Sequence, residues 1–116
     1  QDGIAVGHNS WALSANSVVL GSGAISSWFN PNSTALGAAT RTDGVDATSI
    51  GYGAKVGNWV DDAWNRAPVS AVALGAFSHA TRSYSVAVGD LASGLTRQIT
   101  SVAAGTEATD AVNKGQ

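Results

Sequence analysis

A short phrase returns along this chain: a branched or hydroxylated residue, a small residue, an aliphatic residue, then glycine. Aligned on that glycine there are six copies, ending at Gly7, Gly21, Gly37, Gly51, Gly75 and Gly89, spaced by 14, 16, 14, 24 and 14 residues. A unit this short cannot enclose a core of its own. Repetition therefore commits the chain to burying surface by stacking one copy on the next.

Within the phrase the residue before the glycine is Val6, Leu20, Leu36, Ile50, Leu74 or Val88, and the third before it is Ile4, Val18, Thr34, Thr48, Val72 or Val86. Between them stand Ala5, Val19, Ala35, Ser49, Ala73 and Ala87. Alternation of period two with β-branched residues predicts a strand, and neither face is strongly polar, so both are expected to be buried. A second alternation follows each glycine: Ser10/Ala12, Ala24/Ser26, Thr40/Thr42, Ala54/Val56, Ser78/Ala80 and Ala92/Gly94 flank Trp11, Ile25, Arg41, Lys55, His79 and Ser93. This predicts a second short strand, small residues inward and varied ones toward solvent.

Each repeat thus reads as strand, glycine turn, strand, turn. The two long repeats expand only the last connection, to Ser27–Asn32 and Gly57–Ser70, and both prolines, Pro31 and Pro68, fall there. A stack tolerates insertions at a corner, where no ladder N–H is needed. Asn16, Asn32 and Asp46 end their connections, as turn-favouring side chains should.

Composition agrees with a thin structure. Alanine supplies 21 residues and Ser plus Thr 23, against 24 for Leu, Ile, Val and Phe together. Such a core holds backbones close together. Parallel rungs roughly 4.8 Å apart make six of them about 25–30 Å tall. The smooth alanine face of the first strand is expected to pack on copies of itself around an axis.

The same counts exclude several functions. A chain of 116 residues is one domain or a piece of one, and a net charge of −2 with 12% charged residues offers no footprint for nucleic acid or an anionic membrane. There is no cysteine, hence no disulfide, thiolate zinc site or thiol nucleophile. No apolar run approaches the roughly 18 residues of a membrane helix, so no membrane contact is expected of this segment. His8 and His79 lie in different repeats without a consistent carboxylate partner, and Asp61 and Asp62 are too few oxygens for calcium. Gly51–Gly57 misses the dinucleotide spacing. No cofactor, metal or catalytic residue is expected.

The phrase Ser-Val-Ala-Val-Gly at a 14-residue period resembles the head repeats of trimeric autotransporter adhesins of the YadA-like kind. Val88–Asn113 resembles that family's neck through Gly89-Asp90, Arg97-Gln98-Ile99-Thr100, Val102-Ala103-Ala104-Gly105-Thr106 and Thr109-Asp110-Ala111-Val112-Asn113. The resemblance implies an all-β, left-handed parallel β-roll, homotrimeric, on the surface of a Gram-negative bacterium, held in the outer membrane by a C-terminal region not present here. It implies a head over 1–89, with corner insertions at 27–32 and 57–70, a neck over 90–109 that crosses toward the neighbouring chain, and the start of a coiled-coil stalk over 110–116. Glu107 and Asp110 would suit a helix N-terminus.

An adhesin head has no catalytic site, so the candidates are surfaces. Trp28, Phe29, Trp59 and Trp64 sit in the two expanded corners, as recognition anchors or as lids folded on the roll or a neighbouring subunit. The resemblance also implies that collagen-binding members use arrays of Ser-Val-Ala-Ile-Gly; here Ser85, Val86, Ala87, Val88 and Gly89 come nearest, with Ser17–Gly21 next. In the neck, Asp90, Arg97, Gln98, Ile99, Val102, Thr109 and Asp110 are expected to be structural, Asp90 and Arg97 as a pair or as caps. The row Trp11, Ile25, Arg41, Lys55 and His79 is a mixed solvated face. The expected partner is a host matrix protein or cell-surface receptor, with autoaggregation besides, and a spacer that projects another binding domain is the alternative. A left-handed β-helix acyltransferase would need a six-residue period, and an ice-binding solenoid Thr-x-Thr in most coils; this chain has neither.

Overall fold

Every copy of the phrase forms a strand: β1 (Ile4–Val6), β3 (Val18–Leu20), β5 (Thr34–Leu36), β7 (Thr48–Ile50), β9 (Val72–Leu74) and β11 (Val86–Ala87). The second alternation gives β2 (Trp11–Ala12), β4 (Ile25–Ser26), β6 (Arg41–Thr42), β8 (Lys55–Val56) and β10 (His79–Ala80). These are features of a computed structural model that describes residues 2–58 and 68–116. Among the described residues there is no helix, so none is long and apolar enough to cross a membrane.

The odd-numbered strands form one parallel sheet and the even-numbered strands another, each in chain order. Register follows the glycine alignment: Ile4 pairs with Val18, Val18 with Thr34, Thr34 with Thr48, Thr48 with Val72 and Val72 with Val86. In the second sheet Trp11, Ile25, Arg41, Lys55 and His79 stand in one row. The chain is thus a parallel β-solenoid, as expected. The sixth copy departs from expectation, because Ala92–Gly94 forms no strand. There the chain turns back, and Asp90 and Leu95 exchange backbone hydrogen bonds of 2.9 and 3.0 Å as an antiparallel bridge.

Both corners are hydrogen-bonded from rung to rung, which answers for their polar backbone. At the glycine corner the N–H of Gly21, Gly37, Gly51 and Gly75 donates to Val6, Leu20, Leu36 and Ile50 at 2.8–2.9 Å. These glycines, with Gly7, have φ from +106° to +139°, outside the range of L side chains. They also stack closely: a Cβ on Gly21 would lie 2.5 Å from the carbonyl carbon of Gly37. At the opposite corner Asn16, Asn32, Asp46, Ser70 and Tyr84 are left-handed. Asn16 Nδ2 donates to Asn32 Oδ1 (3.1 Å) and Asn32 Nδ2 to Asp46 Oδ1 (2.8 Å), so the turn residues form a side-chain ladder.

The core lies between the sheets and is built of small side chains; its largest apolar members are Val19 and Val56. Ala35, Ser49 and Ala73 from the first sheet meet Ala24, Ser26, Thr40, Thr42, Ala54 and Ala80 from the second, all at most 1% exposed. Ser49, where other copies carry alanine or valine, accepts a 3.0 Å hydrogen bond from Thr42 Oγ1 and donates its own to Arg41 O at 3.0 Å, so the buried hydroxyl is satisfied across the sheets. The expectation for the alanine face is therefore overturned. That face is consumed by the chain's own core, because two sheets this close admit only small residues. The aliphatic face points outward instead.

Candidate functional site

The outward face of the first sheet carries Ile4, Val6, Val18, Leu20, Leu36, Leu74 and Val86, all exposed, with Leu20 and Leu74 at 44%. Parallel register places Val6, Leu20, Leu36, Ile50 and Leu74 in one unbroken aliphatic row up the stack. Beside it runs a row in which Thr34 and Thr48 separate Ile4 and Val18 from Val72 and Val86; this is an apolar strip rather than scattered exposure. Burial on both faces of the sheet, expected from the sequence, is thus met on one face within the single chain.

The Ser27–Asn32 corner presents Trp28 and Phe29, each 45% exposed, so neither folds back as a closed lid. Its backbone is firmly held. Asn30 is buried, donates from its N–H to Ser14 Oγ at 2.8 Å, and donates from Nδ2 to Trp28 O at 2.9 Å. Asn32 N–H donates to Ala15 O and Asp46 N–H to Pro31 O. Phe29 has φ 67°, a left-handed conformation rare for an aromatic residue. Trp59 and Trp64, with Asp61 and Asp62, lie outside the described residues. A second exposed aromatic pair was not singled out from the sequence: Tyr52 and Phe77 meet edge to face at 5.3 Å on the glycine corner. Their places one and two residues after successive phrase glycines were the signal.

At the far end of the stack, Ser85–Gly89, Asp90 and Arg97 come together around an open cleft of about 640 Å³ that His79 also lines. Arg97 donates from Nη1 to Val88 O (2.8 Å) and Ser78 Oγ (3.0 Å), and from Nη2 to Ala76 O (2.6 Å). Its guanidinium lies over Gly75, where an added Cβ would come within 3.0 Å of Cζ. Arg97 therefore occupies the place of the next glycine rung and satisfies carbonyls that a further coil would have taken. Asp90 acts separately: its Oδ1 accepts from Ala92 N–H (3.2 Å) and lies 3.9 Å from His79 Nδ1, whose Nε2 is 2.7 Å from Gly57 O. Among the described residues no ion pair joins Asp90 to Arg97. Replacing Arg97 by alanine is expected to destabilise the last rungs by about 1–2 kcal/mol, a modest value because the side chain is exposed. Hydrogen exchange should quicken at His79, whose N–H bonds Gly89 O, and stay unchanged at Gly21.

Beyond Arg97 the chain has no strand and is largely exposed; Ile99 is 70% exposed and Gln98 and Thr109 are also open. Half-buried Val102 accepts from Asn113 Nδ2 through its carbonyl (3.1 Å) and borders, with Ile99, Ala111 and Val112, a second shallow cleft. Residues 110–116, expected to begin a stalk helix, are not helical in the single chain. Gly115 is a poor helix former, and helix nucleation is costly where no partner surface packs against it. Asp110 instead closes a turn, its Oδ2 accepting from the N–H of Glu107 (2.9 Å) and Thr106 (3.0 Å).

The Glu107 and Thr106 backbone hydrogen bonds hold the Asp110 carboxyl below its usual range. With a depressed folded-state pKa, the turn's stabilisation is complete above the ordinary aspartate range and is lost as pH falls through the folded value. The amide resonances of Thr106 and Glu107 should therefore titrate together below the ordinary aspartate pKa.

Among the described residues no group of three His, Asp or Glu side chains could hold a metal ion.

The sequence profile of the YadA head domain repeat matches residues 1–24, 30–54 and 69–92, more than half of the chain. Its two internal breaks fall at the expanded corners. No curated protein matches. Among solved structures, the collagen-binding domain of the Yersinia adhesin YadA is similar over 98% of this chain and 72% of that one, with 28% identity and a TM-score of 0.60.

Proposed function

The chain belongs to the YadA head-repeat family of trimeric autotransporter adhesins, and from that premise we propose that three copies form a head that attaches a bacterium to extracellular matrix, host cells or sister bacteria. Residues 90–109 serve as the neck and 110–116 lead into a coiled-coil stalk, with the anchor in the outer membrane. The observation that carries the reading is the aliphatic strip. The single chain completes its core without it, and a closed ring of three copies covers it without further sequence. The stalk helix likewise needs partners, since its nucleus is stabilised by packing that one chain lacks.

Adhesion then works by multivalency: three identical surfaces on one stalk convert weak single contacts into avidity. Collagen is the first matrix protein to test, given what the similar Yersinia domain binds. The segment fused at Gln116 to a trimeric coiled coil should bind immobilised collagen or cultured cells more tightly than the same segment without the fusion. Absence of binding to any matrix protein or cell type would defeat the adhesive reading. Truncation of the two tryptophan-bearing corners to the short connection of the other rungs, such as 13–16 or 43–46, with adhesion unchanged would favour the alternative, a spacer that projects another domain.

A further inference from the structure

We propose that the Trp28–Phe29 loop of one protomer seats in a recess on the glycine corner of the next protomer. This rests on the trimeric reading. Each rung has the aliphatic sheet face bounded by two corners, one holding the phrase glycine and the other the Asn16–Asn32–Asp46 ladder. When three such faces surround a common axis, the ladder corner of each copy adjoins the glycine corner of its neighbour, and rotation about the axis keeps every rung at its own height.

Height then decides what meets what. The loop leaves β4 in the second rung and enters β5 in the third. On the glycine corner those two rungs carry Ser22–Gly23 and Ala38–Ala39, whereas the rungs on either side carry His8–Asn9 and Tyr52–Gly53, the latter under the Phe77 ring. Two bare rungs between bulkier ones leave a recess about 10 Å tall.

Nothing among the described residues around Gly23 demands that emptiness. A Cβ on Gly23 would meet only the Ala39 nitrogen, at 4.0 Å, and its left-handed conformation (φ 71°) is shared by Asn9 and Phe77, which carry side chains. The loop, for its part, is held by buried hydrogen bonds with both aromatic rings left half-exposed.

Area points the same way. The seven exposed aliphatic side chains leave roughly 70–90 Å² each, or about 500–600 Å² shared between two neighbours. A stable interface takes about 800 Å² from each partner. Two half-exposed aromatic rings add roughly 200 Å² at the edge of that face.

The native chain has no cysteine, so introduced pairs report cleanly. In the trimer-fused segment, Phe29→Cys with Ala39→Cys should be joined by a short bis-maleimide into covalent trimers as the main species. Phe29→Cys with Phe77→Cys, two rungs away, should not. Within one chain the two corners are opposite ends of the rung, so the link must be between protomers. Gly23→Asn, which suits the backbone but fills the recess, should weaken trimer association roughly tenfold in the unfused segment. A trimer that fails to link through positions 29 and 39, links equally through 29 and 77, or tolerates Gly23→Asn overturns the seating and leaves the trimer standing. A monomer by light scattering overturns the trimeric reading, and the seating with it.

Discussion

Gly21→Ala is expected to unfold the roll. The substitution forces a φ of +139° on a residue with a Cβ and drives that atom to 2.5 Å from the Gly37 carbonyl group. Neither problem can relax locally. Gly37 belongs to the next rung and is tied by its own N–H to Leu20 O at 2.8 Å. Strain and clash together exceed about 3–5 kcal/mol, a large share of the roughly 5–15 kcal/mol that holds a domain folded. Gly23→Ala, two residues away, is the matched control. Its Cβ meets nothing closer than 4.0 Å and its left-handed backbone is accepted elsewhere by Ala39. Urea unfolding followed by circular dichroism should show the first variant without a cooperative transition at 25 °C and the second within about 1 kcal/mol of the parent. Equal behaviour of the two would remove the stacked glycine column as the organising feature of the fold.

Neighbouring positions on one strand should fail in opposite ways. Ala35 is fully buried between the sheets, while Leu36 is 39% exposed on the outer face. Ala35→Leu inserts three carbons where the sheets leave no room, and overpacking of this kind costs about 1–3 kcal/mol or more. It should lower the chain's own stability. In the proposed trimer, Leu20→Arg with Leu36→Arg leaves the core untouched and places two like charges per chain, six in all, on the shared axis. Six unpaired guanidinium groups cannot be desolvated there, so association should be lost and not merely weakened. Light scattering on the unfused segment should fall from trimer to monomer mass while the β-sheet dichroism of the isolated rungs persists. Loss of trimer from Ala35→Leu with an unaltered fold would reverse the assignment of the two faces.

These contrasts rest on a feature that the sequence exposed only in part. Strand positions other than Ala92–Gly94, and the rung register, were legible, because period two and a repeating glycine need nothing beyond local sterics to interpret. Ser49 was visible as a departure, yet its partner Thr42 was not, since the two meet across the sheets. Arg97 was recognisable from the resemblance, while its place over the last glycine rung depends on where the chain after Leu95 folds back over Gly75. The Tyr52–Phe77 pair escaped notice because its members lie 25 residues apart in sequence and one rung apart in space.

The sequence by itself determined that the chain stacks, at which residues each rung begins, and which corners can grow without harm. Those properties follow from backbone geometry, which repeats whenever the phrase repeats. Which side of the strand faces inward was settled only by the tertiary structure. The pattern of small and aliphatic rows is symmetrical to inspection, and the distance between the two sheets breaks the symmetry. Set close together, they accept alanine, serine and threonine and turn leucine and valine outward, onto the surface that the proposed trimer would cover.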